Sequence, residues 1–524
     1  LGEARVPGAE IQSFPSMQQP RGPSAAGPDQ DIRISTGNAG LDDILCGGFD
    51  RNRMYLYEGR PGTGKTTLAL EFLREGVKRG ERVLCITLSE TRRELELVAH
   101  RHGWSLEGVD IFELLPQEAA LSNERELTIL HPAELELGET TNLIFERVTA
   151  LNPARVVFDS LSELRLLAQN PLRYRRQVLA LKHFFTMRDC TVVLLDDLSS
   201  VENELQLHSI THGVVLLEQL AIDYGAERRR LNVLKMRGIQ FRGGYHDFTI
   251  RRGGVEIFPR LIAAEHHAAF PAEPVSSGNR DLDTMLGGGL ERGTSSLLVG
   301  SAGIGKSSLA LSYAVAAARR GDPAVYFAFD EGLGTLETRG DSLGLGVGEL
   351  VAAGRLRIQQ VDPAELSPGE FAAIVRRSVE QEGARVVVID SLNGYMNAMP
   401  DGRFLLLQMH ELLSYLNQRG VLSLLVLAQH GLTGAPEVRL DISYLSDAVI
   451  MMRYFEHDGR VRRALSVVKK RGGVHEGTIR EFRLGRGGFV LGAPLTDFTG
   501  MFAEVPTYTG ESSRLLQEDG PGPV

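Results

Sequence analysis

The stretch "GRPGTGKTTLAL" (residues 59–70) recurs in nearly the same form as "GSAGIGKSSLAL" (residues 300–311). Both copies satisfy the pattern G-x4-G-K-[ST], and each follows a strand-like run ("RMYLYE" and "SSLLVG") and precedes a helical one. Such a loop holds phosphates, because its glycines let backbone N–H groups turn inward, its lysine reaches the outer phosphates and its hydroxyl takes a metal position. The positive end of the following helix dipole adds to this attraction.

The repetition extends well beyond the loops. Three further pairs of segments match in the same order: "STGNAGLDDILCGGF" from residue 35 with "SSGNRDLDTMLGGGL" from 276, "ARVVFDSLSEL" from 154 with "ARVVVIDSLNGY" from 384, and "LNVLKMRG" from 231 with "LSVVKKRG" from 465. Four matched blocks indicate the tandem duplication of a domain of roughly 230 residues, a period too long for a solenoid repeat.

Within each half, short β-branched runs alternate with helical stretches, which is typical of a parallel sheet with helices on both faces. We therefore predict an α/β protein with two tandem RecA-like P-loop NTPase domains, each a mostly parallel sheet flanked by helices. The expected bounds are a tail at 1–30, domains at 31–257 and 276–500, a linker at 258–275 and a tail at 501–524. His266 and His267 could be metal ligands, but their Ala- and Pro-rich surroundings favour a linker.

The composition is that of an ordinary globular chain, with 43% hydrophobic and 24% charged residues. The longest apolar runs have the length of a strand and are too short for a bilayer span. The first thirty residues lack the apolar segment of a signal peptide. Three scattered cysteines, Cys46, Cys85 and Cys190, fit a reducing cytoplasm. A net charge of −10 argues against a protein that coats nucleic acid.

Two groups of residues are expected to bind ATP and Mg²⁺. The loop residues are Gly62, Thr63, Gly64, Lys65, Thr66 and Thr67 in the first half, and Gly303, Ile304, Gly305, Lys306, Ser307 and Ser308 in the second. Asp159 and Asp390 each end an apolar strand and can hold Mg²⁺ through water, together with Thr66 and Ser307. The alternative is that each aspartate is an ordinary strand terminator.

Hydrolysis also requires a group that positions and deprotonates the attacking water, usually a carboxylate at a neighbouring strand end. Ser89-Glu90 follows "VLCITL", and Asp330-Glu331 follows "VYFAF". Glu90, Asp330 and Glu331 are therefore the candidate catalytic acids. The alternative for each is a helix-capping role.

A basic pair recurs late in each half, as Lys235-Met236-Arg237 and Lys469-Lys470-Arg471. Basic pairs of this kind can reach the γ-phosphate in a neighbouring subunit. The alternative is a solvated strand end.

The chain resembles the KaiC family of double-domain RecA-like ATPases over about residues 31–500. The resemblance rests on the paired domains, the "STG…LD…GG" entry, the loops, the "FDSL" and "IDSL" strands and the Lys-x-Arg-Gly segments. The resemblance implies a homohexameric double ring with ATP between subunits. Lys235 and Arg237, with Lys469 and Arg471, would then complete the neighbour's sites, and His475 would line the second interface.

The chain departs from the family pattern at two places. Family members carry two adjacent glutamates, the first of them assigned to catalysis, where this chain has Ser89-Glu90 and Asp330-Glu331. The resemblance therefore implies that the first domain lacks this acid, while Asp330 can still act as the base in the second. The family's phosphorylated "STITD" stretch matches "SYLSD" (residues 443–447), so Ser443 is retained as a candidate phosphosite while Tyr444 replaces the threonine. In the first half the same alignment matches Ser209 to Ser443 and Gly213 to Asp447.

Three functions follow from these observations. The first is a slow regulatory ATPase ring in the cytoplasm, with serine autophosphorylation in its second domain, protein partners and no membrane. The second is a RecA- or DnaB-like motor on single-stranded nucleic acid, for which "NPLRYRRQVLALKHFF" from Asn170 offers arginine and tyrosine. Its apolar spacing favours an amphipathic helix instead. The third is a scaffold whose assembly is gated by nucleotide.

Overall fold

The computed structural model describes residues 33–114, 132–198, 204–221, 225–396, 402–429, 442–486, 488–499 and 507–508. The predicted tail at 1–30 and nearly all of the tail at 501–524 lie outside these residues. The side chain of Ser443, at the edge of a described range, also lies outside them.

The first half of the chain forms a mixed sheet with helices on both faces. Its strands are β1 (Arg33–Ile34), β2 (Phe49–Asp50), β3 (Met54–Gly59), β4 (Val83–Thr87), β5 (Val109–Glu113), β6 (Arg155–Asp159), β7 (Thr191–Asp197), β8 (Gly213–Leu220), β9 (Arg228–Met236), β10 (Tyr245–Arg251) and β11 (Gly254–Phe258). Its helices are α1 (Ala39–Ile44), α2 (Lys65–Lys78), α3 (Arg92–Arg101), α4 (Pro132–Leu151), α5 (Leu161–Ala168), α6 (Pro171–Thr186) and α7 (Glu204–Ile210).

The second half repeats this architecture. Its strands are β12 (Pro274–Val275), β13 (Leu290–Glu291), β14 (Ser295–Ser301), β15 (Ala324–Ala328), β16 (Leu356–Gln360), β17 (Val386–Asp390), β18 (Leu422–Gln429), β19 (Ala448–His457), β20 (Arg460–Lys470), β21 (Ile479–Gly485), β22 (Gly488–Pro494), β23 (Phe498–Thr499) and β24 (Thr507–Tyr508). Its helices are α8 (Arg280–Met285), α9 (Lys306–Arg320), α10 (Leu333–Ser342), α11 (Val347–Ala352), α12 (Pro368–Glu380), α13 (Leu392–Met396) and α14 (Gly402–Gln418), and 3₁₀ turns cover Ala263–Glu265 and Ile442–Leu445.

The two large sheets have the same strand order. It is β11-β10-β9-β8-β3-β7-β6-β4-β5 in the first half and β22-β21-β20-β19-β14-β18-β17-β15-β16 in the second. In the first sheet the pairs from β8 to β5 are parallel, and β9, β10 and β11 add antiparallel strands at one edge. The predicted fold class is therefore confirmed.

Apolar sequence accounts for the layers. Both β6 and β17 are buried along their whole length, as expected for parallel strands covered by helices on both faces. In α6 the buried residues are Tyr174, Val178, Leu181 and Phe185, a spacing that places them on one face. The amphipathic helix predicted there is confirmed. Among the helices in the described ranges, none combines the length and the apolar character needed to cross a bilayer.

The predicted linker packs against the second half. Its last two residues form β12, which pairs with β13. The ring of Phe270 closes on Gly293 and Gly420, where an added Cβ would come within 2.5 and 2.4 Å of it. His266 stacks edge-on against Tyr415, which gives this histidine a packing role.

Three contacts join β9 and β10 of the first half to the segment around α12. Asp247 accepts a hydrogen bond from Gly369 N at 2.7 Å. Arg228 donates to the Pro363 carbonyl at 2.8 Å, and Arg251 forms an ion pair with Glu370. These contacts fix the end of the first sheet against the second domain.

A buried arginine anchors the strand that carries Asp159. Arg155 opens β6 and its side chain is fully buried, where it donates to Ser35 O at 2.8 Å and Phe72 O at 2.9 Å and pairs with Glu81 at 2.5 Å. The matching residue in the second sheet is Val386, at the same register.

We expect Arg155→Ala to lower the free energy of unfolding of the first domain by about 3 to 5 kcal/mol, because it leaves buried carbonyls and Glu81 unpaired. Urea unfolding curves measure this loss. Arg357→Ala serves as the control. It removes an ion pair with Glu382 whose side chains are 45% and 42% exposed, so a loss of no more than about 1 kcal/mol is expected. Equal losses for the two variants would contradict the anchoring role.

Candidate active sites

Each phosphate loop joins a central strand to a helix at the carboxyl edge of its sheet. Gly62 and Gly64 have φ of +83° and +96°, and Gly303 and Gly305 have φ of +75° and +116°. A Cβ on Gly64 would lie 2.5 Å from Ile250 Cδ1. All four positions have a left-handed backbone that favours glycine. At Gly64 the close packing also excludes a side chain.

Leu484 packs against the second loop as Ile250 packs against the first. A Cβ on Gly305 would lie 2.5 Å from Leu484 Cδ1. Thr63 and Ile304 are fully buried beneath the loops, and the Thr63 hydroxyl donates to Arg60 O at 2.8 Å. Thr67 and Ser308 are also buried, in the first turns of α2 and α9.

The two loop lysines point back across their loops. Lys65 Nζ donates to the carbonyls of Gly59 at 2.8 Å and Arg60 at 3.0 Å. Lys306 Nζ donates to Ser301 O at 2.8 Å. Burial lowers the pKa of Lys306 to about 8, and nearby Asp390 opposes the shift. A buried ammonium at this place is suited to bind phosphate oxygens.

A hydroxyl and a carboxylate meet in each site as a Mg²⁺ centre requires. Thr66 Oγ1 lies 2.9 Å from Asp159 Oδ2, and in the second site Ser307 lies near enough to Asp390 to lower its pKa. Burial raises the pKa of both aspartates, and the hydroxyls around them oppose the shift: Thr66 at Asp159, and Tyr326 and Ser307 at Asp390. Oxygen ligands of this kind fit Mg²⁺, which uses one or two protein groups together with phosphates and water.

The candidate catalytic acids have different surroundings in the two halves. Glu90 is half-buried, and no described residue bonds its buried Oε2. Burial, with Asp159 and Glu94 nearby, raises the pKa of Glu90 to about 6. Asp330 is exposed and accepts a hydrogen bond from the Ser391 hydroxyl. Glu331 is held in an ion pair by Arg339.

The basic pairs lie on the opposite edge of each sheet from the loops. Lys235 Nζ donates to Thr211 O at 2.8 Å and Arg237 donates to Ser209 O at 2.9 Å. Met236 is buried. The loop in the same half follows Gly59, at the other end of the parallel strands.

In the second half the same arrangement holds. Lys469 donates to Ser446 O at 2.7 Å, and Arg471 lies 3.4 Å from Asp447. Lys470 faces elsewhere and pairs with Glu291 at 2.7 Å. His475 is half-buried in the segment after β20.

The strand register corrects one alignment. Tyr55 pairs with Gly213 and Ser296 pairs with Ala448, so His212 stands where Asp447 does. The sequence alignment of Gly213 with Asp447 was wrong by one residue. The match of Ser209 with Ser443 was wrong for the same reason. Ser209 corresponds to Tyr444, since the carbonyls of both receive the arginine of the basic pair.

Sequence reasoning also missed several residues. Tyr326 donates a hydrogen bond to Asp390, where Cys85 occupies the same register in the first half. Asp197 pairs with Lys65 at 2.7 Å. The acidic end of "TVVLLDD" was a usable signal, because Asp159 was predicted from the same pattern.

A basic cleft borders the second loop. It has a volume of about 290 Å³, and its lining includes Tyr454, Arg463 and Phe482. The Tyr454 hydroxyl would lie 3.3 Å from a Cβ on Gly303. A cleft of positive character beside a phosphate loop suits an anionic ligand.

Comparison with known proteins agrees with this geometry. A family model described as "ATPase: KaiC" matches residues 34–262 and again residues 275–495. The chain is 26% identical over 486 residues to the circadian clock oscillator protein KaiC of Picosynechococcus sp., covering 91% of this chain and 92% of that protein. It is 26% identical over 494 residues to the circadian clock protein KaiC3 of Synechocystis sp., covering 92% and 95%. Identity to the circadian clock oscillator protein KaiC of Thermosynechococcus vestitus is 25% over 482 residues, covering 91% and 92%.

The Tyr326 hydroxyl gives a test confined to the second site. Its hydrogen bond favours the charged form of Asp390, so Tyr326→Phe should weaken Mg²⁺-dependent nucleotide binding there by about tenfold. The measurement is a titration with a fluorescent ATP analogue in a Lys65→Ala background, which leaves only the second loop. Tyr415→Phe, which removes a hydroxyl 3.2 Å from Glu380, is the control. If both variants bound equally well, Tyr326 would have no role in the site.

Proposed function

This chain belongs to the KaiC family of ATPases, and we propose that it acts as a slow regulatory ATPase in which six copies form a double ring with Mg²⁺ and ATP between neighbours. Two observations support the proposal: the duplicated loops, and the position of the basic pairs relative to them. The second observation carries the argument.

The basic pairs cannot reach their own loops. Met236 pairs with Gly213, which pairs with Tyr55 near the start of β3. The loop begins after Gly59, at the other end of that strand. At about 3.3 Å per residue, the two edges lie on the order of 15 Å apart. A neighbour placed head to tail would bring these cations to the first subunit's loop, and such an interface closes into a ring.

We assign different catalytic acids to the two domains. In the second domain Asp330 would take the proton of the attacking water, because it is exposed at the strand end beside Asp390. In the first domain Ser89 cannot do so, and Glu90 is the remaining acid. Mg²⁺, when bound by Thr66 and Asp159 or by the matching second pair, would neutralise charge on the phosphates. We expect the first domain to turn over more slowly.

Ser443 is proposed as a phosphate acceptor. It lies in the 3₁₀ turn Ile442–Leu445, and the carbonyls of Tyr444 and Ser446 in and beside that turn hold Arg471 and Lys469. In a ring this turn would face the neighbour's γ-phosphate together with the basic pair. Because Tyr444 replaces a threonine, we propose regulation by one phosphate, and we do not extend the clock cycle of the relatives to this chain. Mass spectrometry of Ser443→Ala against the parent chain tests this.

The two alternative functions, a nucleic-acid motor and a nucleotide-gated scaffold, would require other features. A motor on single-stranded nucleic acid needs aromatic side chains free to stack on bases. Tyr174, in the segment considered for this role, is buried and contacts Arg165. A nucleotide-gated scaffold would assemble with ATP but show no turnover at the first site. Stimulation of hydrolysis by single-stranded DNA would favour the motor.

We also propose a cytoplasmic location and regulatory protein partners for this chain. Cys46, Cys85 and Cys190 are all unpaired, which supports a reducing cytoplasm. Regulatory proteins that read the nucleotide or phosphate state of the ring are the proposed partners.

Mixing two inactive variants tests the ring directly. Chain one carries Lys65→Ala and Lys306→Ala, and chain two carries Arg237→Ala and Arg471→Ala. Each should be nearly inactive alone. In random mixed rings about a quarter of the interfaces join an intact loop to an intact arginine, so ATP hydrolysis should recover to about a quarter of the parent rate. Native mass with and without Mg²⁺–ATP confirms the assembly. No recovery, with mixed hexamers present, would mean that the basic pairs do not act on the neighbour.

Glu90 predicts the pH dependence of the first site. As a base it must be ionised, and because its pKa is raised to about 6, the ionised fraction falls tenfold per pH unit below that value. In a Lys306→Ala background, ATP turnover should be constant above about pH 7 and decline with a midpoint near 6. Glu90→Gln in the same background should abolish turnover at every pH. Turnover unaffected by Glu90→Gln would remove Glu90 from the mechanism.

A further inference from the structure

The acidic pair that ends β7 stands between the two strands that define the first site. β7 lies between β3, which leads into the loop, and β6, which ends in Asp159. Asp197 is paired in register with Gly59, the first residue of the loop. Its carboxylate therefore lies at the edge of the sheet where phosphates bind.

Asp197 is aimed at the loop lysine. Its Oδ1 lies 2.7 Å from Lys65 Nζ, and only 8% of the lysine side chain is exposed. The backbone at this point is held in place, because Asp197 N donates to Ser162 Oγ at 3.1 Å. The Asp197 carboxylate is therefore paired with the ammonium group that would bind the outer phosphates of a nucleotide.

Asp196 has a different role. It is buried and forms an ion pair with Arg165, and the Ser162 hydroxyl donates to it at 3.1 Å. These contacts account for Asp196 by packing alone. Only the second acid of the pair faces the loop.

The second domain supplies an internal comparison. There Gly300 is paired in register with Ala428, which has no charge. The Asn393 side chain bonds both the N and the O of Ala428, at 2.8 and 3.0 Å. Within the described residues Lys306 forms no ion pair. The two loops therefore differ by one carboxylate next to the lysine.

We propose that Asp197 competes with the terminal phosphates of ATP for Lys65 and so makes the first domain the weaker ATP site. A bound triphosphate has to separate the Asp197–Lys65 pair or leave two anions close together, and either outcome costs affinity. The second domain would fill at low ATP concentration and the first only at a higher one. This inference rests on the proposed function, since both loops are taken to bind ATP.

The test exchanges the carboxylate between the domains. The probe is a fluorescent, non-hydrolysable ATP analogue with Mg²⁺, measured by anisotropy. In a Lys306→Ala background, Asp197→Asn should lower the Kd of the first site at least tenfold. In a Lys65→Ala background, Ala428→Asp should raise the Kd of the second site at least tenfold.

Asp189→Asn is the matched control. Asp189 precedes the other end of the same strand, is exposed and accepts a hydrogen bond from Asn52 at 2.9 Å, so its Kd should stay within about twofold of the parent. An unchanged Kd for Asp197→Asn would overturn the inference. A raised Kd would also overturn it, because Asp197 would then assist binding, for instance through the metal. Absence of binding in both the Lys65→Ala and the Lys306→Ala chains would instead overturn the proposed function.

Discussion

The positions of the candidate site residues depend on one constraint, the common direction of the parallel strands. Because β3, β6, β7 and β4 run the same way, their carboxyl ends bring the loop, Asp159, Asp197 and Glu90 to one edge of the sheet. The antiparallel β9 returns Lys235 and Arg237 to the opposite edge. A single chain therefore carries its loops and its basic pairs at opposite edges of each sheet.

Duplication makes the differences between the halves informative. The strand order is the same in the two sheets. Residues at the same register position can therefore be compared directly, and they differ in their side chains. Tyr326 stands where Cys85 does, beside the aspartate that ends the adjacent strand. Ala428 stands where Asp197 does, in register with the first glycine of the loop. Asp447 stands where His212 does, at the turn that holds the basic pair. All three replacements lie at the nucleotide site or at the proposed interface.

Much of the fold and part of the site were predictable from sequence. Local patterns were sufficient to place the loops before α2 and α9, Asp159 and Asp390 at the ends of their strands, and the apolar face of α6, because glycine, strand and helix signals act over a few residues. Contacts between distant segments were not predictable in this way. The Tyr326–Asp390 hydrogen bond and the buried Arg155 depend on register between strands. The alignment of Ser209 with Ser443 failed because no local signal fixes the register across a turn.

The strand β10 serves two sites at once. Ile250 closes over Gly64 of the first loop, and the next residue, Arg251, is bound to Glu370 of the second domain. Successive side chains on a strand point to opposite faces of the sheet. One face of β10 therefore contacts the first loop through Ile250, and the other contacts α12 through Arg251. The residue over the first loop and the residue bound to the second domain are therefore consecutive, so a displacement of β10 would alter both contacts.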